Sequence, residues 1–454
     1  ADALLDVQYV RSDERVYDDT GWTLGYLKNV DFKRIANPEV LKVAMSPWKG
    51  EASRPAVTGA GPFAVESTAD NDLARFRWAM PKSRFAVAEE EFTAGGKKFA
   101  RGTVVITPAE GERLPATPTR LTPLGGSLSA KTREMKLPRI AILHTWIRTQ
   151  DEGWYRLALE SMGVPYTYIS TQDVSRTPNL REQFDVILFP PSGGDNPQQI
   201  VNGLPAGPPL PWKKTDLTPN LGVDETDDMR QGLGLSGVAS LQRFVEEGGL
   251  LITVRDTASF AIHYGLARYV DIVRPNRLKA PGTILAATVT DRRSPVTSGY
   301  DETVPLYYAG SPIFRVGVRE EREPEGRPSG RGTRNDPDVP QGRPYVPFPE
   351  RPKPAPEEEG FQLPEDLPGN FAALMPLPQD RPRVLVAFKR QADQLLLSGM
   401  LDGGDEIAGK PAVVLAPRGK GNILLFAINP MWRMNTQGAY PLVMNAIMNW
   451  DALR

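Results

Sequence analysis

The sequence predicts an α/β fold, an open, doubly wound and mostly parallel sheet preceded by a small β-containing unit. Three features say so. Short runs of purely apolar residues, of the kind a parallel sheet buries on both faces, recur from Ile140 onward. Stretches with apolar residues at helical spacing alternate with them, and most connections are short. The segment ahead of Ile140 has shorter strand-like pieces and more turn residues.

In chain order, residues 1–55 mix apolar pieces with turn signals such as Asp18-Asp19-Thr20-Gly21-Trp22 and read as a loop-rich connector. Residues 56–107 form the small unit. Phe63-Ala64-Val65 is strand-like and Asn71 to Phe76 opens a helix. Phe85-Ala86-Val87-Ala88 and Thr103-Val104-Val105-Ile106 give strands on either side of a Gly95-Gly96 turn. Residues 108–137, rich in Pro, Thr, Ser and Gly, predict a linker.

The α/β domain then runs over 138–454. Ile140-Ala141-Ile142-Leu143 is its first strand. Asp151 and Glu152 open a helix with Trp154, Leu157, Ala158 and Met162 on one face, and Gly163 stops it. Strands follow at Tyr166 to Ile169 and Asp185 to Phe189. Ser236 reads as the N-cap of a helix carrying Val238, Leu241, Phe244 and Val245, with Gly248-Gly249 ending it before a strand from Leu250 to Val254. Further strands are expected at Val384 to Phe388, Gln394 to Ser398, Ala412 to Leu415 and Asn422 to Phe426, and a closing helix from Tyr440 to Asn449.

Two segments break this rhythm. The connection 190–235 is long and rich in Pro, Gly and Asp; such loops serve as lids, binding loops or interface arms, or simply pack. Residues 319–368 hold twelve prolines and twenty charged residues, too little apolar surface to offset their ordering entropy. That stretch reads as an insertion within the domain.

Composition narrows function. The 454 residues carry 54 Lys+Arg against 55 Asp+Glu, a net charge of −1, without the basic excess of a nucleic-acid or anionic-membrane binder. No membrane span is expected either, because no stretch approaches about 18 apolar residues. The absence of Cys excludes disulfides, thiolate metal sites and a cysteine nucleophile, and the two histidines, His144 and His263, cannot build a three-histidine metal site. No phosphate-cradling or dinucleotide fingerprint occurs.

Ligands of open α/β sheets bind beyond the carboxyl ends of the strands. That rule selects His144, Thr145 and Trp146; Ser170 to Asp173; Ser192, Gly193, Gly194 and Asp195; Arg255, Asp256, Thr257 and Ser259; and Asn429, Trp432 and Arg433. Trp146, Ser192, Gly193, Gly194, Asp195, Arg255, Trp432 and Arg433 are the candidate ligand-binding residues, and Ser259, His144 and Asp256 the candidates for hydrolysis. The string Thr257-Ala258-Ser259-Phe260-Ala261 lacks the flanking glycines of a nucleophile elbow, so Ser259 reads better as the N-cap of a helix beginning near Phe260. His144 reads as a loop residue after its strand and His263 as a helix residue. No metal site is expected, since neither histidine has metal-ligand spacing, and Asp224-Glu225-Thr226-Asp227-Asp228 reads as a solvated loop. Trp146, Trp212 and Trp432 are candidate stacking faces for a carbohydrate or other small ligand.

Several strings resemble one family. Asp18-Asp19-Thr20-Gly21-Trp22-Thr23-Leu24-Gly25, Gly203-Leu204-Pro205 with Pro211-Trp212-Lys213-Lys214-Thr215, and Leu401-Asp402-Gly403-Gly404 are similar to the region downstream of the peptidase domain in large bacterial M14-family zinc carboxypeptidases. The resemblance covers essentially the whole chain. It implies a class I glutamine-amidotransferase/flavodoxin-like α/β domain and a secreted or periplasmic setting. The family's zinc ligands and catalytic Glu have no counterpart here, so zinc would belong to an upstream domain, of which Ala1 looks like the tail. The Cys that amidotransferases place at the strand–helix elbow is also missing, where this chain has Arg255-Asp256-Thr257-Ala258-Ser259. The expectation is a non-catalytic accessory region without a cofactor of its own. Its partners would be the upstream peptidase domain, a peptide or protein substrate, or a second copy of itself. A degenerate hydrolase and a small-ligand-binding module are the alternatives.

Overall fold

The structure, a computed structural model, describes residues 19–33, 35–47, 61–65, 69, 71–112, 114, 121–126, 130–194, 196–204, 206–219, 224–317 and 376–454. The expected insertion at 319–368 and the candidate Asp195 lie outside these residues.

The stretch read as connector is partly built into the large domain. The Thr20 amide donates to the carbonyls of Pro281 and Gly282 at 3.0 and 2.9 Å, and the Met400 amide donates to Thr20 Oγ1 at 2.9 Å. Helix α1 (Leu24–Lys28) follows and ends at Asn29, whose left-handed φ of 52° an asparagine tolerates.

The small unit contains β1 (Phe63–Val65), α2 (Asp72–Ala79), β2 (Arg84–Ala88), β3 (Phe92–Ala94), β4 (Lys97–Phe99), β5 (Val104–Thr107), β6 (Leu121–Pro123) and β7 (Thr132–Glu134). Gly95 and Gly96, both at positive φ, close the β3–β4 hairpin. The main sheet is antiparallel in the order β6-β1-β5-β2-β7. This corrects the linker reading of 108–137, because that span supplies both edge strands. Short, polar and Pro-bearing pieces suit an edge, where one row of backbone groups needs no partner strand.

The large sheet begins with β8 (Ile140–His144), α3 (Gln150–Ser161), β9 (Thr167–Ser170), α4 (Thr171–Arg176), α5 (Leu180–Gln183), β10 (Val186–Phe189), α6 (Pro197–Asn202), α7 (Gly234–Glu246), β11 (Leu250–Val254) and α8 (Asp256–His263). It continues with β12 (Val270–Val273), β13 (Thr283–Val289), β14 (Thr303–Tyr308), β15 (Ile313–Val316), β16 (Arg383–Phe388), β17 (Leu396–Ser398), β18 (Pro411–Arg418), β19 (Gly421–Phe426) and α9 (Tyr440–Met448). The strand order is β14-β13-β16-β18-β19-β11-β10-β8-β9, with β17 beside β13.

Among the described residues, only β9, β8, β10, β11 and β19 pair in parallel. The remaining neighbours are antiparallel, so the expected mostly parallel sheet is a mixed one. The turn between Arg418 and Gly421, with Gly419 at φ 55°, forces β19 to run back along β18. Strands β12 to β15 were not expected at all; Pro305 interrupts the apolar pattern of β14, which its edge position allows.

Residues of α3 and α9 pack on one face of the parallel half, and residues of α4, α5, α6, α7 and α8 on the other. Two expected helix starts move. Helix α7 begins at Gly234, leaving Ser236 inside its first turn, and α8 begins at Asp256, leaving Ser259 inside it as well. One apolar cluster runs from Val65, Phe85 and Met135 of the small unit to Ile140, Tyr155 and Met162 of the large one, so the two share a core.

Candidate functional site

The parallel strands fall in the spatial order β9-β8-β10-β11-β19, so the chain leaves β8 to one side and then returns to β10 on the other. A crevice opens beyond the carboxyl ends at such a reversal. Here it is lined by Thr145, Trp146, Arg148, Ser192, Gly194 and Arg230, and its cavity of about 40 Å³ has room for two or three waters.

His144 ends β8 and is 2% exposed, a buried strand residue and not the loop residue expected. Its Nε2 lies 3.1 Å from Asp224 Oδ2, on the long loop, and its Nδ1 lies 3.3 Å from the Thr145 carbonyl. Both partners are acceptors, so a neutral ring can donate to only one of them. Burial lowers the His144 pKa, outweighing the hydrogen bonds to Asp224 and Thr145 that favour the charged ring. The imidazole stacks on Tyr168 at 3.9 Å and 4°, and Trp146 meets its edge. Beyond Tyr168 lies a buried acid: the Tyr168 hydroxyl donates to Glu152 Oε2 at 2.9 Å, and burial pushes the Glu152 carboxyl up to about 7.

Ser170 and Asp173, beyond β9, are used locally. The Asp173 amide donates to Ser170 Oγ and the Ser170 amide to Asp173 Oδ2, a capping box that starts α4. Gln172 is instead an anchor for the long loop. Its amide donates to the Asp228 carbonyl at 2.7 Å and its oxygen accepts from Thr226 Oγ1 at 2.9 Å. Segment 224–230 is thereby fastened over the rim, and the Asp224 expected in a solvated run bonds His144.

Asp256 serves the turn after β10. It accepts from the Ser192 amide at 3.0 Å, from the Ser192 hydroxyl and from the Gly194 amide at 3.4 Å, and burial still raises its pKa. Gly193, at φ 71°, gives that turn its shape, and its carbonyl accepts from Arg148.

The turn from β11 into α8 has Arg255 at its apex, at φ 53° and ψ −112°. This is a sharp strand–helix elbow, and it forms without flanking glycines. Thr257 braces it, donating to the Phe189 carbonyl at 2.7 Å and accepting from the Val254 amide at 2.8 Å. Ser259 is not at the apex. Its hydroxyl turns back onto the Arg255 carbonyl at 3.3 Å, so it caps nothing and faces neither histidine through a hydrogen bond.

Trp432, expected as an open stacking face, is 4% exposed and stacked on Tyr307 at 4.3 Å, with Trp22 against it. The Arg433 guanidinium lies over the Trp432 ring and 3.7 Å from Asp19. Trp212 is 44% exposed and pairs through its backbone with Thr226. The groups that sequence reasoning missed are Glu152, Tyr168, Asp151 and Tyr155. Their only local signal is the Glu152 to Arg156 spacing of one helical turn, which ordinary surface pairs share.

Among the described residues, no three His, Asp or Glu side chains come together as a metal site. Among them, too, no helix is long and apolar enough to cross a membrane.

No protein-family model matches the chain, and no curated protein matches it significantly. Among solved structures it is similar to a cytoplasmic protein of Salmonella typhimurium LT2, with 11% identity over 80% of this chain and 96% of that one and a TM-score of 0.31. It is similar as well to a GMP-synthase-like protein from Thermoplasma acidophilum, with 9% identity over 69% and 94% of the chains and a TM-score of 0.32. A ThuA-like protein of Parabacteroides merdae gives 8% identity over 70% and 91% and a TM-score of 0.33. Overlaps this loose carry no argument, and the site is read on its own geometry.

Proposed function

We propose that this chain is a non-catalytic accessory region of an M14-type zinc metallocarboxypeptidase, whose α/β domain follows the glutamine-amidotransferase/flavodoxin-like plan and binds without hydrolysing. The observation that carries this is the separation of the three hydrolytic candidates. Ser259 bonds the Arg255 carbonyl, Asp256 bonds Ser192 and Gly194, and His144 bonds Asp224 and Thr145. No nucleophile–base pair forms among them, and the apex where an elbow nucleophile would stand is a guanidinium. The rim and the fastened 224–230 segment are the binding surface. The upstream peptidase domain, which would hold the zinc, or a peptide substrate is its partner in a secreted or periplasmic enzyme.

Purified chain offered peptide and ester substrates should give no turnover, and a serine-directed phosphonate should leave Ser259 unlabelled. Native material should carry a co-purifying zinc peptidase fragment, detected by intact mass and peptide mapping. Turnover that Ser259→Ala abolishes would replace this reading with the hydrolase one.

A further inference from the structure

We propose that the elbow after β11 is an oxyanion subsite, in which the Arg255 guanidinium and the Asn429 carboxamide hold the carboxylate of a bound ligand. The inference rests on the binding-module reading and names the chemical class that the module takes.

Four observations converge on it. Arg255 is a non-glycine residue held at φ 53°, ψ −112°, and such backbone persists only where the surroundings enforce it. Its side chain is 24% exposed, yet the guanidinium makes no hydrogen bond among the described residues, and its buried Nε has no partner. The nearest counter-charge, Asp151 Oδ2, stands 3.7 Å from Nη1, beyond hydrogen-bonding distance. Asn429 is 1% exposed; its Oδ1 accepts from the Tyr155 hydroxyl at 2.8 Å, and its buried Nδ2 has no acceptor among the described residues.

These groups occupy one place. The Arg255 amide donates to Phe426, at the end of the strand that leads to Asn429. The Arg255 charge acts on the hydroxyls of Tyr155, Tyr307 and Tyr308, and Tyr155 is the residue bonded to Asn429. Buried donors are seldom left unpaired, and two in one neighbourhood call for an acceptor. An arginine fork matches a planar carboxylate in two parallel bonds. Charge selects within the class. Asp151 faces Arg255, and Asp256 is the next residue in the chain, so a monoanion is tolerated where a phosphate dianion meets two carboxylates.

The test uses the full chain and acetate as probe, with inorganic phosphate and chloride at matched ionic strength as the other arms. Melting temperature should rise saturably with acetate, at a millimolar Kd, and respond to phosphate and chloride only weakly and without saturation. Arg255→Gly removes the guanidinium and relieves the positive φ. It should therefore melt higher than the wild type without acetate, and bind acetate at least about tenfold more weakly. Asn429→Leu should weaken acetate while leaving the apo melting temperature less affected than the response. A purely structural Arg255–Asp151 pair gives the opposite sign, a glycine variant that melts lower, and overturns the proposal. So does saturable acetate binding undiminished in Arg255→Gly, or none in the wild type. Saturable binding of phosphate in place of acetate overturns the carboxylate assignment. An absence of acetate binding in a chain that also hydrolyses nothing defeats the subsite alone, whereas hydrolysis defeats the module reading beneath it.

Discussion

Glu152 and His144 both touch Tyr168, one through its hydroxyl and the other through its ring, and burial moves their protons in opposite senses. The Glu152 carboxyl is held up at about 7, against its ordinary 4.5. Between those values the native state keeps a proton that the unfolded chain has released, so this group costs stability as the pH rises through the window. The His144 pKa lies below its ordinary 6.5, so the unfolded chain takes up that proton first. Stability is then lost as the pH falls below about 6.5. Glu152→Gln isolates the first effect. The stability of the variant relative to the wild type should improve by up to about 3 kcal/mol between pH 4.5 and 7, read from urea midpoints. A difference that stays flat across the window would mean that the native carboxyl is already ionised. None of this was legible in the chain: an i, i+4 Glu–Arg pair looks the same on a wet helix as on a buried one.

At the level of elements, the segment 224–230 is fastened where sequence showed only a long, polar connection. Two side-chain bonds tie it to α4, through Gln172 to Thr226 and to the Asp228 carbonyl, and Asp224 reaches His144. Thr226→Val deletes the hydroxyl and leaves the Gln172 oxygen buried without a donor, which should cost about 1–3 kcal/mol. The loop should then open more often, so limited proteolysis within 206–219 should accelerate while the core remains intact; an unchanged cleavage rate would mean that the segment is held by something else. The elements themselves were largely readable. Continuous apolar runs placed β8, β10, β11 and β19, and helical spacing placed α3 and α9. Helix starts were less so, because Ser236 and Ser259 are acceptable caps that the packing of α7 and α8 did not use.

For the whole molecule, the small unit is not an appendage. Phe85, Ile106 and Met135 belong to the same cluster as Ile142, Leu159 and the residues of α9. Truncation at Phe85 should therefore destabilise everything. Phe85→Ala is expected to cost about 3–5 kcal/mol, with far-ultraviolet circular dichroism and tryptophan fluorescence shifting together. A separate early transition confined to the small sheet would show that the shared core does not couple the two.

Local pattern settled the strands of the parallel half and helices α3, α7 and α9, which polar residues crowd the carboxyl ends of those strands, and which chemistries two imidazoles and no thiol exclude. That is the information apolar spacing carries, since burial acts on each segment's own faces. Strand direction, the edge roles of β6 and β7, and the partners of His144, Asp256 and Ser259 came only with the tertiary structure. All but the Ser259 contact, which is with Arg255 four residues back, depend on groups tens to hundreds of residues away. A hydroxyl or carboxylate that looks free in the chain is committed by whichever backbone or side chain the packing brings within 3 Å.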